Sequence, residues 1–559
     1  MNTRRFRWVI IEILALCLIV VFGTFFYLHD LARVPPGVYV DETVTGYNAY
    51  SLNLTRKDEY GKSFPVALRF FGSYSPPVYT YITIPLVRVF GLNAMAVRLA
   101  SSVCGIFGII VFFLLLKSLR ITRSRITLLT TTFLFAITPW NVFFARTGYE
   151  IYLGFFLFFV GVLFCWLSLS RKTYLLLGFI FLSLSTYGAH LERYLSVFFA
   201  FSFLFLFRKN LFDRSNKIVL FASAVAFGII QIPNFTLLDT TVFFSKSALF
   251  YSQQVISQAE KIRFLPEIIA IPLSFLREFF SQYVAYFSPR SLFFLPDPDP
   301  QRSIPDLATF YPWMVGPWFL GLLKLWTLRK TNAGRFIFLL LFLIPFPVAL
   351  TKDPFSTQRA LPLLLPISLV TTLGLDMVLQ KIRLRFAFPL VVFLLVYSIV
   401  LLWRGYFVLL PHERARVWGY GFQQLAEVIK ENPDKKFLID QSRTKPVYIE
   451  LAFFLAYPPA EFQQEVDQTI KEDYYNKPSF SSYYKFGNIE TRNIRWDEDI
   501  YKRQILVGDE FAISEQQAKE HFLTKVLEVN DLNGNPIFRG YETNPEMKCK
   551  ISPSSLCTL

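Results

Sequence analysis

RRFRWVIIEILALCLIVVFGTFFYLHDLARVPPGVYVDETVTGYNAYSL, Arg4–Leu52, decides the architecture. Arg4, Arg5 and Arg7 precede an apolar run over residues 8–28, long enough for one helix to cross the hydrocarbon of a bilayer. The run resembles the core of a secretory signal. It is longer than one, however, and no small-residue cleavage site stands before HDLARVPPG, so it is expected to remain as a first membrane helix. The arginines hold the N-terminus inside, and the chain emerges outside. There it carries two adjacent acids, Asp41 and Glu42, in an aromatic segment.

The rest of the chain repeats that first pattern. Hydrophobic residues make up 53% of its 559 positions, 63 of them phenylalanine, which is more apolar surface than soluble domains of this size carry. Apolar runs recur to about residue 405 and then stop. The fold class expected is a polytopic α-helical membrane protein with a C-terminal soluble α/β domain. The net charge of +16 does not point to nucleic acid, because the basic residues cluster in short loops between apolar runs. Cys17, Cys104 and Cys165 lie inside such runs as small buried residues. Cys549 and Cys557 would pair in an oxidising compartment.

Spans are expected at 8–28, 94–117, 126–142, 151–169, 174–189, 194–207, 218–235, 312–328, 336–350, 360–379 and 386–405, about eleven in all. Residues 29–93 form a first outer loop. Its two apolar stretches, ETVTGYNAYSL and PPVYTYITIPLVRVFGL, are read as interfacial helices, since the second is short and carries Pro85 and Arg88. Residues 236–311 form a long outer loop with a PDPDP turn. The loop charges support this threading. The inner segments carry Arg4, Arg5, Arg7, then Lys117, Arg120, Arg123, Arg125, then Arg171, Lys172, then Arg208, Lys209, Arg214, Lys217, then Arg329, Lys330, Arg335, then Lys381, Arg383, Arg385, against the single acid Asp213. Residues 1–405 are thus the membrane module and 406–559 an outer domain. In that domain ARVWGYGFQQLAEVIKEN has helical spacing, KKFLID and RQILVG have strand composition, and LTKVLEVNDLNGNPIFRGYE reads as a hairpin about an Asn-Gly turn.

Four outer connections then present ionisable residues on one face. They hold Asp41 and Glu42; Arg146 and Glu150; His190, Glu192 and Arg193; and Lys352, Asp353, Gln358 and Arg359. Each has a plain structural reading beside a functional one. Asp41 would N-cap a helix starting at Glu42. Glu150 would balance Arg146 four positions earlier. Arg193 and Arg359 would anchor helix ends at the headgroups, and His190 would be a structural histidine. Together they suit an anionic lipid substrate with a hydroxyl acceptor. Arginine forks onto phosphate oxygens, a phosphate leaving group needs charge neutralisation more than a proton, and a lone carboxylate then serves as base for the acceptor.

VDETVTGYNAY, SPPVYTYITIPLVRVFGLNAMAVRLASSVCGI and TPWNVFFARTGYE resemble the bacterial and archaeal branch of glycosyltransferase family 39. These are GT-C membrane enzymes related to protein O-mannosyltransferases and to the aminoarabinose transferase. The resemblance covers about residues 30–195 well and continues more loosely to LTKDPFSTQRALPLLLPI. It implies interfacial helices in the first outer loop, polyprenyl-phosphate sugar donors, inversion at the anomeric carbon, and Asp41 as catalytic base. Glu42 and Glu150 would shape the acceptor side, and Arg146, His190, Arg193 and Arg359 would meet the donor phosphate. Relatives carry a lysine before the Pro-Pro pair, where this chain has Ser75. The family's metal-binding Glu and His have no match here, so no obligatory metal is expected, although a divalent metal stays open. The expected function is a glycosyltransferase, hexosyl or pentosyl, at the outer face of the cytoplasmic membrane, with membrane lipids as surroundings and a protein, lipid or glycan acceptor. A lipid or glycolipid flippase is the alternative, and a scaffold centred on the outer domain is a third reading. A flippase would place ionisable residues near mid-span, whereas Glu12 and Lys324 both lie near the inner ends of their spans.

Overall fold

The computed structural model describes residues 3–557 except 123, 214–215, 239, 241, 243–251, 263, 354, 444–445, 466–472, 477–480 and 482. Arg123 and Arg214, two of the inner-side basic residues, lie outside the described residues, as do the side chains of Arg4, Arg5 and Arg7. Every expected span carries a helix. In chain order the helices include α1 (Thr3–Leu28), α2 (Val40–Thr55), α3 (Val78–Phe90), α4 (Ala94–Leu119), α5 (Arg125–Ile137), α6 (Pro139–Ala145), α7 (Ile151–Ser168), α8 (Tyr174–Ser185), α9 (His190–Leu206), α10 (Lys217–Phe235), α11 (Glu267–Ala285), α12 (Val315–Thr327), α13 (Asn332–Leu343), α14 (Leu364–Lys381) and α15 (Leu384–Leu402), with α2 and α3 in the first loop and α11 inside the stretch 236–311 expected as a long outer loop.

Among the described residues, six helices are long and apolar enough to cross a membrane alone. The expected span 126–142 is broken instead. Proline has no N–H to continue the helical ladder, so the chain stops at Thr138, restarts at Pro139 and bends by 48°. α8, α13 and their like are shorter apolar helices. Several helices expose large apolar side chains outward, Ile218 at 82% and Phe221 at 73%, which water would not tolerate in such number. The chain is a multi-pass membrane protein.

The structure divides into two compact units, one of Met1–His29, Ser75–Tyr79 and Leu99–Phe407, the other of Asp30–Tyr74, Thr80–Arg98 and Val408–Leu559. Within the first, side chains join helix ends that the charge pattern assigns to the same side. Glu12 of α1 pairs with Lys117 of α4 at the inner ends, and Thr122 donates to Asp376 at 2.5 Å. At the outer ends Tyr27 donates to the Ala136 carbonyl at 2.8 Å and Tyr311 to that of Ile137 at 2.5 Å.

The second unit gathers most of the first outer loop with the C-terminal region. Its sheet has the order β4-β5-β3-β6-β8-β7, formed by β3 (Phe437–Ile439), β4 (Tyr484–Phe486), β5 (Ile489–Thr491), β6 (Ile505–Asp509), β7 (Thr524–Asn530) and β8 (Pro536–Glu542); β1 (Leu68–Phe70) and β2 (Ser73–Ser75) form a separate hairpin. β3 runs parallel to both β5 and β6, pairing Phe437 with Ile489 and Ile505. Buried on both faces, it reads as the uninterrupted apolar run FLI. β7 and β8 pair antiparallel across the expected Asn-Gly turn, where Asp531 accepts the N–H groups of Asn533 and Asn535. Two helices flank this sheet in sequence, α16 (Phe422–Glu431) and α17 (Tyr448–Phe454). α17 packs on α2, with Phe453 buried against Val38 and Val97. Cys549 and Cys557 are disulfide-bonded.

Candidate functional site

α2 begins two residues earlier than a cap at Asp41 requires. Tyr39 is its N-cap, and Glu42, at the third helical position, reaches back to accept the Tyr39 N–H at 3.1 Å. Asp41 and Glu42 therefore both lie in the first turn, where the positive end of the helix dipole favours carboxylates. Their fates then diverge. Asp41 is half-buried, and Glu42 is fully buried.

Glu42 faces Arg98, the arginine of the VRLAS segment. Its Nε donates to Glu42 Oε1 at 2.9 Å and its Nη2 to Oε2 at 2.7 Å, the forked geometry that binds carboxylate best. The other donors go to the carbonyls of Leu31 and Pro35, both at 3.0 Å, and of Gly37 at 2.7 Å. All five guanidinium N–H groups are thus spent. The Trp418 ring covers the guanidinium 5.9 Å away. Gly37 has φ +75°, and a Cβ there would stand 2.4 Å from the Trp418 carbonyl oxygen, so glycine is required at this crossing. The pair is an internal strut that ties the loop before α2 to its first turn.

Below it lie acids that sequence reasoning did not select. Glu59 is buried and accepts from Asn48 Nδ2 at 3.1 Å and Tyr448 OH at 3.2 Å, and its own N–H donates to Asn48 Oδ1. Burial pushes its carboxyl up to about 8, with the neighbouring Asp58 adding to the effect against those hydrogen bonds. Asp58 is also pushed up by burial, to about 6, while holding the Tyr474 hydroxyl and the Tyr60 and Lys62 N–H groups. Glu450 of α17 is buried, and nothing in the plain apolar run YIELAFF apart from its lone acid marks it.

The remaining candidates belong to the first unit. Arg146 is completely buried, donates to the carbonyls of Phe26 at 2.6 Å and His29 at 2.8 Å, and stacks on Tyr406 and Phe407. It caps the C-terminal end of α1, whose last carbonyls need donors, rather than pairing with Glu150 along a helix. Glu150 is half-buried and precedes α7. The start of α7 meets the turn before α9 with no side chain between them: a Cβ on Gly188 would lie 2.6 Å from Gly154 Cα. That crossing brings Glu150 near the first turn of α9, within electrostatic reach of Glu192. Glu192 is buried, and its Oε2 has no hydrogen-bond partner among the described residues. His190 and Arg193, in the same turn, are half-buried.

Arg359 stands apart from that group in an ionic network. It lies 2.9 Å from Asp353 and donates to Thr351 at 3.0 Å. Arg302, which sequence reasoning passed over, shares Asp353 at 3.5 Å and lies 3.2 Å from Asp299. Asp297 accepts from Thr357 and completes the network. The cations expected at a donor phosphate thus separate into a buried helix cap, a turn at α9 and an ion network. Among the described residues no three His, Cys, Asp or Glu side chains group as metal ligands.

No protein-family model matches the chain. No curated protein matches it either. Solved structures do. ArnT from Cupriavidus metallidurans bound to undecaprenyl phosphate aligns at a TM-score of 0.51 and 12% identity, over 95% of this chain and 98% of that one. The oligosaccharyltransferase AglB from Archaeoglobus fulgidus, with an inhibitory peptide and a dolichol-phosphate, aligns at 0.49 and 12% identity, over 79% of this chain and 63% of that one. ArnT is a GT-C glycosyltransferase, and at that likeness along nearly its whole length the chain has the GT-C fold.

Proposed function

We propose that the protein is a polyprenyl-phosphate-dependent glycosyltransferase with Asp41 as its general base. The observation that carries this is the division of labour in the acidic pair. Glu42 is committed to Arg98, and Asp41 beside it is held in the first turn of α2 and only half-buried. A carboxylate so placed suits one task, taking the proton of an acceptor hydroxyl. The acceptor oxygen then bonds to the anomeric carbon as the bond from that carbon to the phosphate oxygen breaks. The electron pair leaves on the phosphate, and attack opposite the leaving group inverts the configuration. A phosphate leaves without protonation, so one carboxylate suffices where glycoside hydrolysis needs two.

In this reading Glu42 positions the base and does not touch the acceptor, and Glu150 with Glu192 is kept for the acceptor side. Arg193, Arg359 and His190 are the cations assigned to donor phosphate; Arg146 leaves that set because its guanidinium is buried against α1. No obligatory metal takes part. The reaction is assigned to the outer face of the cytoplasmic membrane, with the C-terminal region on that side. The loop-charge pattern, the Cys549–Cys557 disulfide and the undecaprenyl phosphate held by a fold neighbour support this.

The test is consumption of radiolabelled polyprenyl-phosphate sugars in proteoliposomes, wild type against Asp41→Asn. The variant is expected to lose roughly 10²–10⁴-fold in rate, the usual contribution of a general base. An Asp41→Asn protein that transfers at the wild-type rate refutes the assignment.

A further inference from the structure

The helix YIELAFF has one charged residue, Glu450, and the fold turns it inward. α17 packs on α2, and Glu450 is only 3% exposed. Its Oε1 lies beside the turn at Gly419, where a Cβ would stand 3.6 Å away. Its Oε2 is buried with no hydrogen-bond partner among the described residues. An ionised carboxylate oxygen in that state costs far more than a protonated one. Among the described residues, Arg98 is already committed: it has given all five donors to Glu42 and three carbonyls. Glu450 thus lies within electrostatic reach of both Glu42 and Asp41, while the Arg98 fork is taken by Glu42.

We infer that Glu450 is a positioning residue for the acidic pair: as an uncharged carboxylic acid it lets α17 pack against the acidic first turn of α2 and so holds Asp41 in place. This rests on the reading of Asp41 as base, since a positioning role needs something to position. Burial, and after it the charges of Glu42 and Asp41, hold the Glu450 proton well above the usual carboxylate range. Among the described residues, the charged groups that face it are those two from α2 and, behind Glu42, Arg98. α16, the other helix packed on α17, contributes buried Phe422, Leu425, Ala426 and Ile429, and its Glu427, Lys430 and Glu431 are exposed. Loss of the proton puts a third negative charge beside Asp41 and Glu42 while Arg98 is committed to Glu42, and the first turn of α2 is pushed off α17.

Two measurements on the full-length protein in proteoliposomes test this. In the pH–rate profile of sugar transfer, the wild type is expected to fall at least about tenfold on the alkaline side, while E450Q stays within about threefold of its neutral rate there and keeps the wild-type acid limb. A glutamine that merely packed as well would leave the alkaline limb unchanged, and that result overturns the inference. E450M, of similar volume and equally uncharged, takes the place of E450Q where the latter does not fold. The second measurement needs no activity. The infrared carbonyl band of a protonated carboxyl, read as the difference between each protein and its Glu450 variant so that the Glu59 band cancels, is expected in wild type and in Asp41→Asn at neutral pH and to bleach as pH rises. An equal band in that variant also overturns the inference. Absence of transfer by the wild type, with the band present and lost on substitution, refutes the transferase reading and leaves the uncharged Glu450 standing.

Discussion

Replacing Arg98 by methionine removes the guanidinium and keeps much of the volume, and the structure says what is left behind. Glu42 becomes a buried charge without its partner, and the carbonyls of Leu31, Pro35 and Gly37 lose their donors. Breaking a fully buried pair from one side costs about 3–5 kcal/mol, because the surviving charge stays desolvated. Each stranded carbonyl adds up to about 1 kcal/mol where water does not reach it. The first turn of α2 should therefore open more readily by at least ~3–5 kcal/mol, or roughly 10²–10⁴-fold in the hydrogen-exchange rate of its amides. Exchange read by mass spectrometry on peptides covering residues 31–55 measures this locally, which suits a protein whose global unfolding is not two-state. The decisive comparison is with Glu42→Met and the double variant. With both charges gone, the three carbonyls and the Tyr39 N–H remain unsatisfied, so the double variant is expected to exchange roughly 10–10²-fold faster than wild type and far more slowly than the product of the single effects. Arg98→Lys should rescue little, since an ammonium lacks the fork that reaches Glu42 and three carbonyls at once. Strictly additive single and double effects, or normal exchange in Arg98→Met, would show that the pair is not the strut described here.

Glu59 carries a pH prediction: its carboxyl is near 8 in the fold against 4.5 for the ordinary group, so the stability it contributes is complete below about 4.5 and is lost as pH rises toward 8. Glu59→Gln should flatten that loss, worth of order 5 kcal/mol at its alkaline end; amide exchange around residues 48–60 between pH 5 and 9 checks it, and an unchanged slope rejects it. If the C-terminal region faces outward, a membrane-impermeant maleimide should label Cys549 and Cys557 in intact cells only after reduction, and labelling that requires permeabilised cells would reverse the assigned side. Arg359→Gln should raise KM for the lipid donor by about tenfold with less effect on kcat, the mark of a lost charge contact to bound substrate. A wild-type KM in that variant would confine Arg359 to its network with Asp353.

The acidic pair was legible because two adjacent carboxylates just beyond a membrane helix are costly unless something uses them. Which acid does what was not legible. Glu42 is paired by an arginine 56 residues later, together with three loop carbonyls, and no local pattern announces such a contact. Arg146 shows the same limit from the other side. An arginine among aromatics at the outer end of a span reads alike whether it meets a lipid phosphate or the last carbonyls of a neighbouring helix. Helices were found where spans were expected because apolar length is a local property, while the break at Pro139 and the shorter helices depend on how neighbours pack around them. The strands FLI and ILVG were likewise local, but the parallel order around β3 is set by pairings between distant segments.

The first outer loop follows the first membrane helix in chain order and is grouped by sequence with the membrane module for that reason. The loop instead folds with the C-terminal region: the Tyr47 hydroxyl bonds a carbonyl 410 residues later, and Gln463 donates to Ser51, Thr55 and Asp58. Such contacts have no signature in either segment alone, since tyrosines and a glutamine in polar surroundings are ordinary surface residues until their partners are known. They also change what the C-terminal region is for. A domain that merely covered a site would leave α2 standing without it. Here the buried faces of α2 are completed by α17, the acidic turn is backed by Glu450 and Trp418, and the loop after α2 is closed by Tyr448 and Tyr474. The position of Asp41 is therefore a property of the C-terminal region as much as of the loop that carries it. Variation in that region acts on the proposed base directly, through packing, before any effect on acceptor choice.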